Sequence, residues 1–173
     1  DALPISILME RRKELRHDYA PMFFRLSSQE DKERMHALLQ EHPNCSVVDN
    51  LHLQLRDLVK LENPSRTLTE VDYSELIAQK LGVIPSDEYG VWIYFSWKDT
   101  LVHWLDEEDF IAVRTVRNKY KITQEEQDIL KAKRVGVIGL SVGHAAAMSL
   151  AMERIGGEIR IADFDRLELS NMN

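Results

Sequence analysis

The chain has 173 residues, with 44% apolar and 29% charged side chains, the balance of an ordinary globular protein of one medium domain or of a small domain plus part of another. Its net charge of −7, from 22 basic and 29 acidic residues, gives no general pull toward nucleic acid or an anionic membrane, and no basic cluster with interleaved aromatics appears. A single cysteine, Cys45, excludes an intramolecular disulfide framework, and no apolar run approaches the ~20 residues of a membrane span. The expectation is a cytoplasmic protein with no signal peptide, because the charged run Glu10-Arg11-Arg12-Lys13-Glu14 follows the brief apolar stretch Pro4 to Leu8 at once. A start at Asp1 rather than methionine reads as a processed or trimmed piece of something longer.

In chain order, Ile5, Leu8 and Leu15 among charged residues predict an amphipathic helix over 5–17, ended before Pro21. Ser27 or Ser28 opens a second helix to about Glu41, with Met35, Leu38 and Leu39 as its stripe and His42-Pro43-Asn44 as its stop. Val47 to Asp49 is a short strand. Leu51, Leu55, Leu58 and Leu61 mark a helix closed by Asn63-Pro64, and Thr69 with Asp72 begins another that runs to Leu81, capped by Gly82. Gly90 to Trp97 and Leu101 to Leu105, joined at 98–100, form a hairpin. Glu107 to Val116 is a helix whose acidic start, Asp106 to Asp109, suits the positive end of the helix dipole. Trp92, Trp97 and Trp104 are expected as core or subunit-contact aromatics, and Cys45 as an inert, partly buried side chain.

The pattern changes from Lys119 onward. Thr123-x-x-Glu126 is a capping box for a helix to about Lys133. Arg134 to Gly139 is a short continuous apolar strand of the kind buried on both faces. Ser141 to Ile155 is a helix rich in alanine, broken at Gly156-Gly157, and Glu158 to Asp163 is a second strand. Strand, glycine turn, small-residue helix and a second strand ending in an acid make half of a βαβαβ nucleotide site. Glycine lets backbone amides approach a phosphate, the helix start supplies free donors and partial positive charge, and the acid accepts from ribose hydroxyls. Asp163 follows Gly139 by roughly the 20 residues of the dinucleotide fingerprint. The loop itself, Gly139-Leu140-Ser141-Val142-Gly143, is not Gly-x-Gly-x-x-Gly, and a plain strand–helix turn is the competing reading.

The tail Asp163-Phe164-Asp165, then Leu169-Ser170-Asn171-Met172-Asn173, resembles the stretch after the second strand in the ThiF family, the ubiquitin-activating-enzyme-like adenylyltransferases. The lead-in Arg117-Asn118-Lys119-Tyr120-Lys121, followed by Gln127, Leu130 and Arg134-Val135, is similar as well, so the resemblance covers about 114–173. Residues 1–112 resemble only the extra N-terminal region of long bacterial members, some fused to a nitroreductase-like flavin domain. The resemblance implies an N-terminal α+β domain over 1–112. Over 113–173 it implies the first β-α-β of a Rossmann-like doubly wound sheet that is incomplete in this chain. It implies a homodimer that transfers AMP from Mg-ATP to a carboxylate, of a small molecule or of a sulfur-carrier-like protein, with pyrophosphate released. The magnesium ligand would lie beyond Asn173, and this stretch alone would not be a complete catalyst.

Carried over, Gly139, Leu140, Ser141, Val142 and Gly143 would form the phosphate loop, Asp163 would hold the ribose, and Asp165 and Asn171 would brace the nucleotide pocket. Arg117 would be the arginine reaching the triphosphate, with Arg114 competing for that role. Ser141, Val142 and His144 stand where the family has glycines, beside the α-phosphate. Other readings stay open. Asp163 can be a solvated strand end, Asp165 and Asn171 can make local turn bonds, and His144 can cap the helix start. For the whole, an NAD- or FAD-dependent oxidoreductase using the same loop, and a non-catalytic interaction module with a degenerate loop, are the alternatives.

Overall fold

The computed structural model describes residues 19–118, 120–165 and 168–169. The helix expected over 5–17 lies outside them. The chain is mixed α/β and divides into two compact units between Val113 and Arg114.

In the first unit a four-stranded sheet has the order β1-β3-β4-β2, with β1 Met22–Phe24, β2 Ser46–Asp49, β3 Val91–Phe95 and β4 Thr100–Trp104. β3 pairs antiparallel with both β1 and β4, while β2 pairs parallel with β4. The register sets Phe24 opposite Trp92, Trp92 opposite His103 and Tyr94 opposite Leu101. Because side chains alternate along a strand, Phe24, Trp92, Tyr94, Leu101 and His103 share one face, and Phe23, Val91, Ile93, Phe95, Val102 and Trp104 share the other.

Helix α1 (Gln29–Glu41) covers the first face, where Leu38 joins Phe24, Tyr94 and Leu101 in one cluster. Ser28 is its N-cap and accepts from the Asp31 amide, as a short hydroxyl side chain at that position should. Helices α2 (Leu51–Glu62) and α3 (Glu70–Leu81) build a second cluster from Leu51, Leu55, Leu58, Val59 and Ile77, with Leu105 after β4. Each of these fully buried leucines contributes about 1.5–3 kcal/mol of transfer free energy. Thr69 and Asp72 close a capping box on α3, and Arg56 reaches from α2 to hold Glu70 in a two-pronged ion pair at 2.7 Å while lying over the Tyr73 ring.

Two features of this unit depart from the sequence expectation. β1 was not expected, because three residues behind Pro21 carry no periodicity of their own and form a strand only by pairing with β3. The hairpin connection is longer than the three-residue link expected: a 3-10 turn, Ser96–Lys98, precedes Asp99, which adopts a left-handed conformation at φ 45°.

The second unit contains α5 (Gln124–Lys131), β5 (Arg134–Ile138), α6 (Leu140–Met152) and β6 (Glu158–Ala162), with α4 (Glu107–Thr115) preceding it. β5 and β6 are parallel, Val135 opposite Ile159 and Ile138 opposite Ala162. The expectation that β5 is buried on both faces is not met. Its residues alternate between exposed and half-buried, and Ile138 is 73% exposed. The cause is that α6 is packed on this two-stranded sheet and, among the described residues, β5 pairs with β6 alone.

Candidate functional site

The candidate site lies where β5 ends. Gly139 has φ +84°, a conformation that a side chain disfavours, and it turns the chain from strand straight into α6. Its own amide is bonded to the Ala162 carbonyl at 2.9 Å, which holds the turn against the end of β6. Gly139 is the N-cap and offers no side-chain acceptor to the first turn of α6. A second glycine function belongs to Gly143, where an added Cβ would come within 2.9 Å of Val137 Cγ1, so its absence lets the helix lie close to β5. Turn and close packing are thus both provided, while the position between carries Ser141 and an 83% exposed Val142.

Asp163 stands beside this turn at the tip of β6. Its Oδ2 accepts from the Leu140 amide at 2.6 Å and its Oδ1 from the Asp165 amide at 3.0 Å. Backbone amides of Asp165, then Leu140, hold its carboxyl below the usual carboxylate range despite full exposure. Asp165 therefore acts on Asp163 through its backbone. Asn171 lies outside the described residues. His144 Nδ1 donates to the Ser141 carbonyl at 3.0 Å, three residues back on the same helix, so it bonds locally and satisfies no free amide of the helix start.

Arg117 is exposed in a 3-10 turn, Val116–Asn118. Arg114, its competitor, is engaged elsewhere: Nη2 donates to the Met152 carbonyl at 3.2 Å, at the negative end of α6. Asn118 donates to Glu153 at 2.7 Å in the same region. Gln127 donates to the Arg154 carbonyl at 3.2 Å, and Gly156 and Gly157 donate to Leu130 and Lys133. An added Cβ at Gly157 would collide with the Lys131 carbonyl, so this glycine pair permits the close approach of α5 to the α6–β6 loop.

Sequence reasoning missed three features of the first unit. One is a groove of about 630 Å³ on the second sheet face, walled by Phe23, Val91, Ile93, Phe95, Trp104 and Phe110. Arg25 and Glu107 stand at its edge, where an adjoining depression is lined by Asp106, Glu107, Glu108 and Asp109. The alternation in β3 and β4 signalled an apolar second face; what hid the groove was β1, which supplies Phe23. The second is His103, fully buried, stacked on Trp92 at 4.1 Å, with Nε2 donating to the Tyr89 carbonyl at 2.7 Å and Nδ1 3.2 Å from Asp49.

The third is a cluster of His42, Tyr94 and Asp99, in which the Tyr94 hydroxyl donates to Asp99 at 2.7 Å. Burial first, and then Asp99, push the Tyr94 phenol far above its ordinary value. Burial and the Asp99 charge also push the Cys45 thiol up, which keeps it protonated and unreactive. Only the folded chain brings together residues as far apart in sequence as His42 and Asp99.

Over 87 residues, half of this chain, the sequence is 52% identical to the uncharacterized protein MT1398 of Mycobacterium tuberculosis (strain CDC 1551 / Oshkosh). The match spans 12% of that relative's length. No family model and no solved structure matches the chain. Among the described residues no helix is long and apolar enough to cross a membrane.

Proposed function

We propose that residues 114–173 open a Rossmann-like nucleotide-binding domain of the ThiF type, within a homodimeric enzyme that uses Mg-ATP to adenylate a carboxylate. One observation carries this reading. The glycine turn into α6, whose N-cap Gly139 has no side chain to offer, is hydrogen-bonded through the Leu140 amide to an acid at the tip of the neighbouring parallel strand, and the amides that follow take no bond from the cap residue. Such a helix start favours an anion, and ligands of open parallel sheets bind outside the carboxyl ends of the strands.

On this reading the amides at Ser141, Val142 and Gly143 face the phosphates. Asp163 has about four acceptor positions, of which the amides of Leu140 and Asp165 take two, leaving capacity for a ribose hydroxyl. The exposed Arg117 can neutralise charge on the triphosphate, the more so because Arg114 is engaged at the end of α6. Asp165 steadies the ribose acid through its amide, and the Ser141 hydroxyl adds a donor where the family has glycine.

The test is isothermal titration of the full-length protein with Mg-ATP and, separately, with NAD, together with ATP–pyrophosphate exchange in the presence of candidate carboxylates. ATP should bind and NAD should not. Asp163→Ala should weaken ATP about 10- to 100-fold, the worth of a hydrogen bond to a charged group. Preference for NAD would move the site to a dehydrogenase reading. Absence of any nucleotide binding would leave the interaction-module reading.

A further inference from the structure

We propose that the aromatic groove of the first unit binds a small organic ammonium ion, one with an apolar body and a protonated amine. The site belongs to the first unit alone and does not rest on the nucleotide reading. Its volume of about 630 Å³ falls within the range of small-molecule pockets, roughly 300–1,000 Å³. Among its lining residues Val91 and Ile93 are buried, and Phe95, Trp104 and Phe110 are half-buried, so it has a dry base and an aromatic wall. Two observations select the ligand.

The first is the wall. Trp104 and Phe110 stack almost parallel, with ring centroids 5.2 Å apart and 12° between their planes. Phe95 meets Trp104 at 6.0 Å. Rings that pack on one another lose little freedom when a ligand joins them. Their faces carry the negative part of the ring quadrupole, which attracts a cation and repels an anion.

The second is the mouth. Glu107 lines both the groove and the adjoining depression, where Arg25, Asp106, Glu108 and Asp109 also stand. Arg25 is the single cation of that set, and it is engaged by Asp106 at 2.7 Å. Asp109 accepts from the Tyr89 hydroxyl at 3.4 Å. Glu107 and Glu108 remain, both exposed and neither in an ion pair among the described residues. An acidic first turn would suit α4 anywhere on the surface; here it borders a wall of aromatic rings. Wall and mouth therefore select the same charge. A carboxylate ligand would face Glu107 and Glu108, and a neutral one would leave them unused. An ammonium group beside Glu107 uses both, with its apolar body against Trp104 and Phe110. Because the mouth is solvated, this charge contact contributes selectivity more than affinity.

The experiment titrates the full chain with phenylbutylamine, phenylbutanol and phenylbutanoate, which share one body and differ in charge. Calorimetry gives the affinities. Trp92→Phe with Trp97→Phe leaves Trp104 as the only tryptophan, whose emission reports binding at the groove. The protonated amine should bind about fivefold or more tighter than the alcohol, and the carboxylate weakest. Glu107→Gln with Glu108→Gln, both at exposed positions, should reduce that preference at least about twofold while leaving the alcohol unchanged. Phe110→Leu keeps the apolar volume and removes one ring face, so it should weaken the amine more than the alcohol. Added salt should narrow the gap between amine and alcohol. No saturable binding of the amine, or equal affinity for the three probes, overturns the proposal. So does tightest binding of the carboxylate, which would assign the mouth to Arg25. A preference for the amine that survives both the glutamate and the Phe110 changes overturns it as well, because the cation is then bound elsewhere.

Discussion

Replacing Gly90 by alanine tests how the β3–β4 pair is assembled, and Gly82 provides the control. Both glycines have positive φ, +77° and +58°. At Gly82 an added Cβ meets nothing within 4 Å, so Gly82→Ala carries only the left-handed strain, about 1–2 kcal/mol. At Gly90 the same atom would lie closer than 3.0 Å to the Trp104 carbonyl oxygen, with Trp104 C at 3.3 Å and Leu105 Cα at 3.4 Å. All three neighbours are backbone, and Val91 is registered opposite Trp104, so relief requires the strands to part. Overpacking costs about 1–3 kcal/mol more. The expected loss is therefore about 2–5 kcal/mol for Gly90→Ala against about 1–2 for Gly82→Ala. At roughly 4–8 °C per kcal/mol for a unit of this size, Gly90→Ala should melt about 8–40 °C below the parent and Gly82→Ala about 4–16 °C below it. Tryptophan fluorescence is the assay, because Trp92, Trp97 and Trp104 all belong to the first unit. Equal melting temperatures for the two variants would refute the steric argument.

Further outcomes follow from the same contacts. Gly143→Ala gains about 1 kcal/mol of helix propensity but meets the stiff Val137 side chain at 2.9 Å. A net loss of up to about 2 kcal/mol is expected, and a double-mutant cycle with Val137→Ala by circular dichroism should show the coupling. Tyr94 has its folded pKa raised by burial and Asp99, so the stability it contributes is present below the unfolded tyrosine value near 10 and is lost as pH rises above it. Alkaline unfolding of the first unit should begin there. Tyr94→Phe should move the transition to higher pH while giving up the Asp99 bond at neutral pH, as followed by tryptophan emission.

How much was legible depended on whether a signal was local. Ser28, Thr69, Gly82 and Thr123 fulfil their cap roles because capping is decided within four residues, and the periodic leucines of α2 form the buried cluster they predict. The turn at Gly139 was readable for the same reason. β1 was not, since its only support is a partner some 70 residues away. The engagement of Arg114 at the end of α6 was equally hidden, because nothing near Arg114 in sequence indicates Met152 as its partner. The apolar run 134–139 was read as a strand correctly and as a doubly buried strand incorrectly, because continuous hydrophobicity reports what a strand can bury and not what is present to cover it.

That last difference has a measurable consequence. A two-stranded sheet with one helix buries too little to be rigid by itself, and independent stability takes three or more strands or further packing. In the second unit Ile138, Val142, Met148, Met152 and Ile161 are each at least 60% exposed, while the first unit holds Leu55, Tyr94, Leu101 and Leu105 at 1%. The backbone bonds of β5 and β6 should therefore open at low free energy, and those of β3 and β4 only near global unfolding. Hydrogen exchange on this 173-residue chain should show amides of Val135 and Val137 exchanging orders of magnitude faster than those of Ile93 and Val102. Saturating Mg-ATP with the isolated chain should protect the β5–α6 turn only weakly, because the helix start that would grip the phosphates rests on an unsupported sheet. Equal protection of the two sheets in a monomer would mean that β5, α6 and β6 form a finished unit. The reading of this region as the opening of a larger sheet would then fail, and the nucleotide proposal built on it would lose its support.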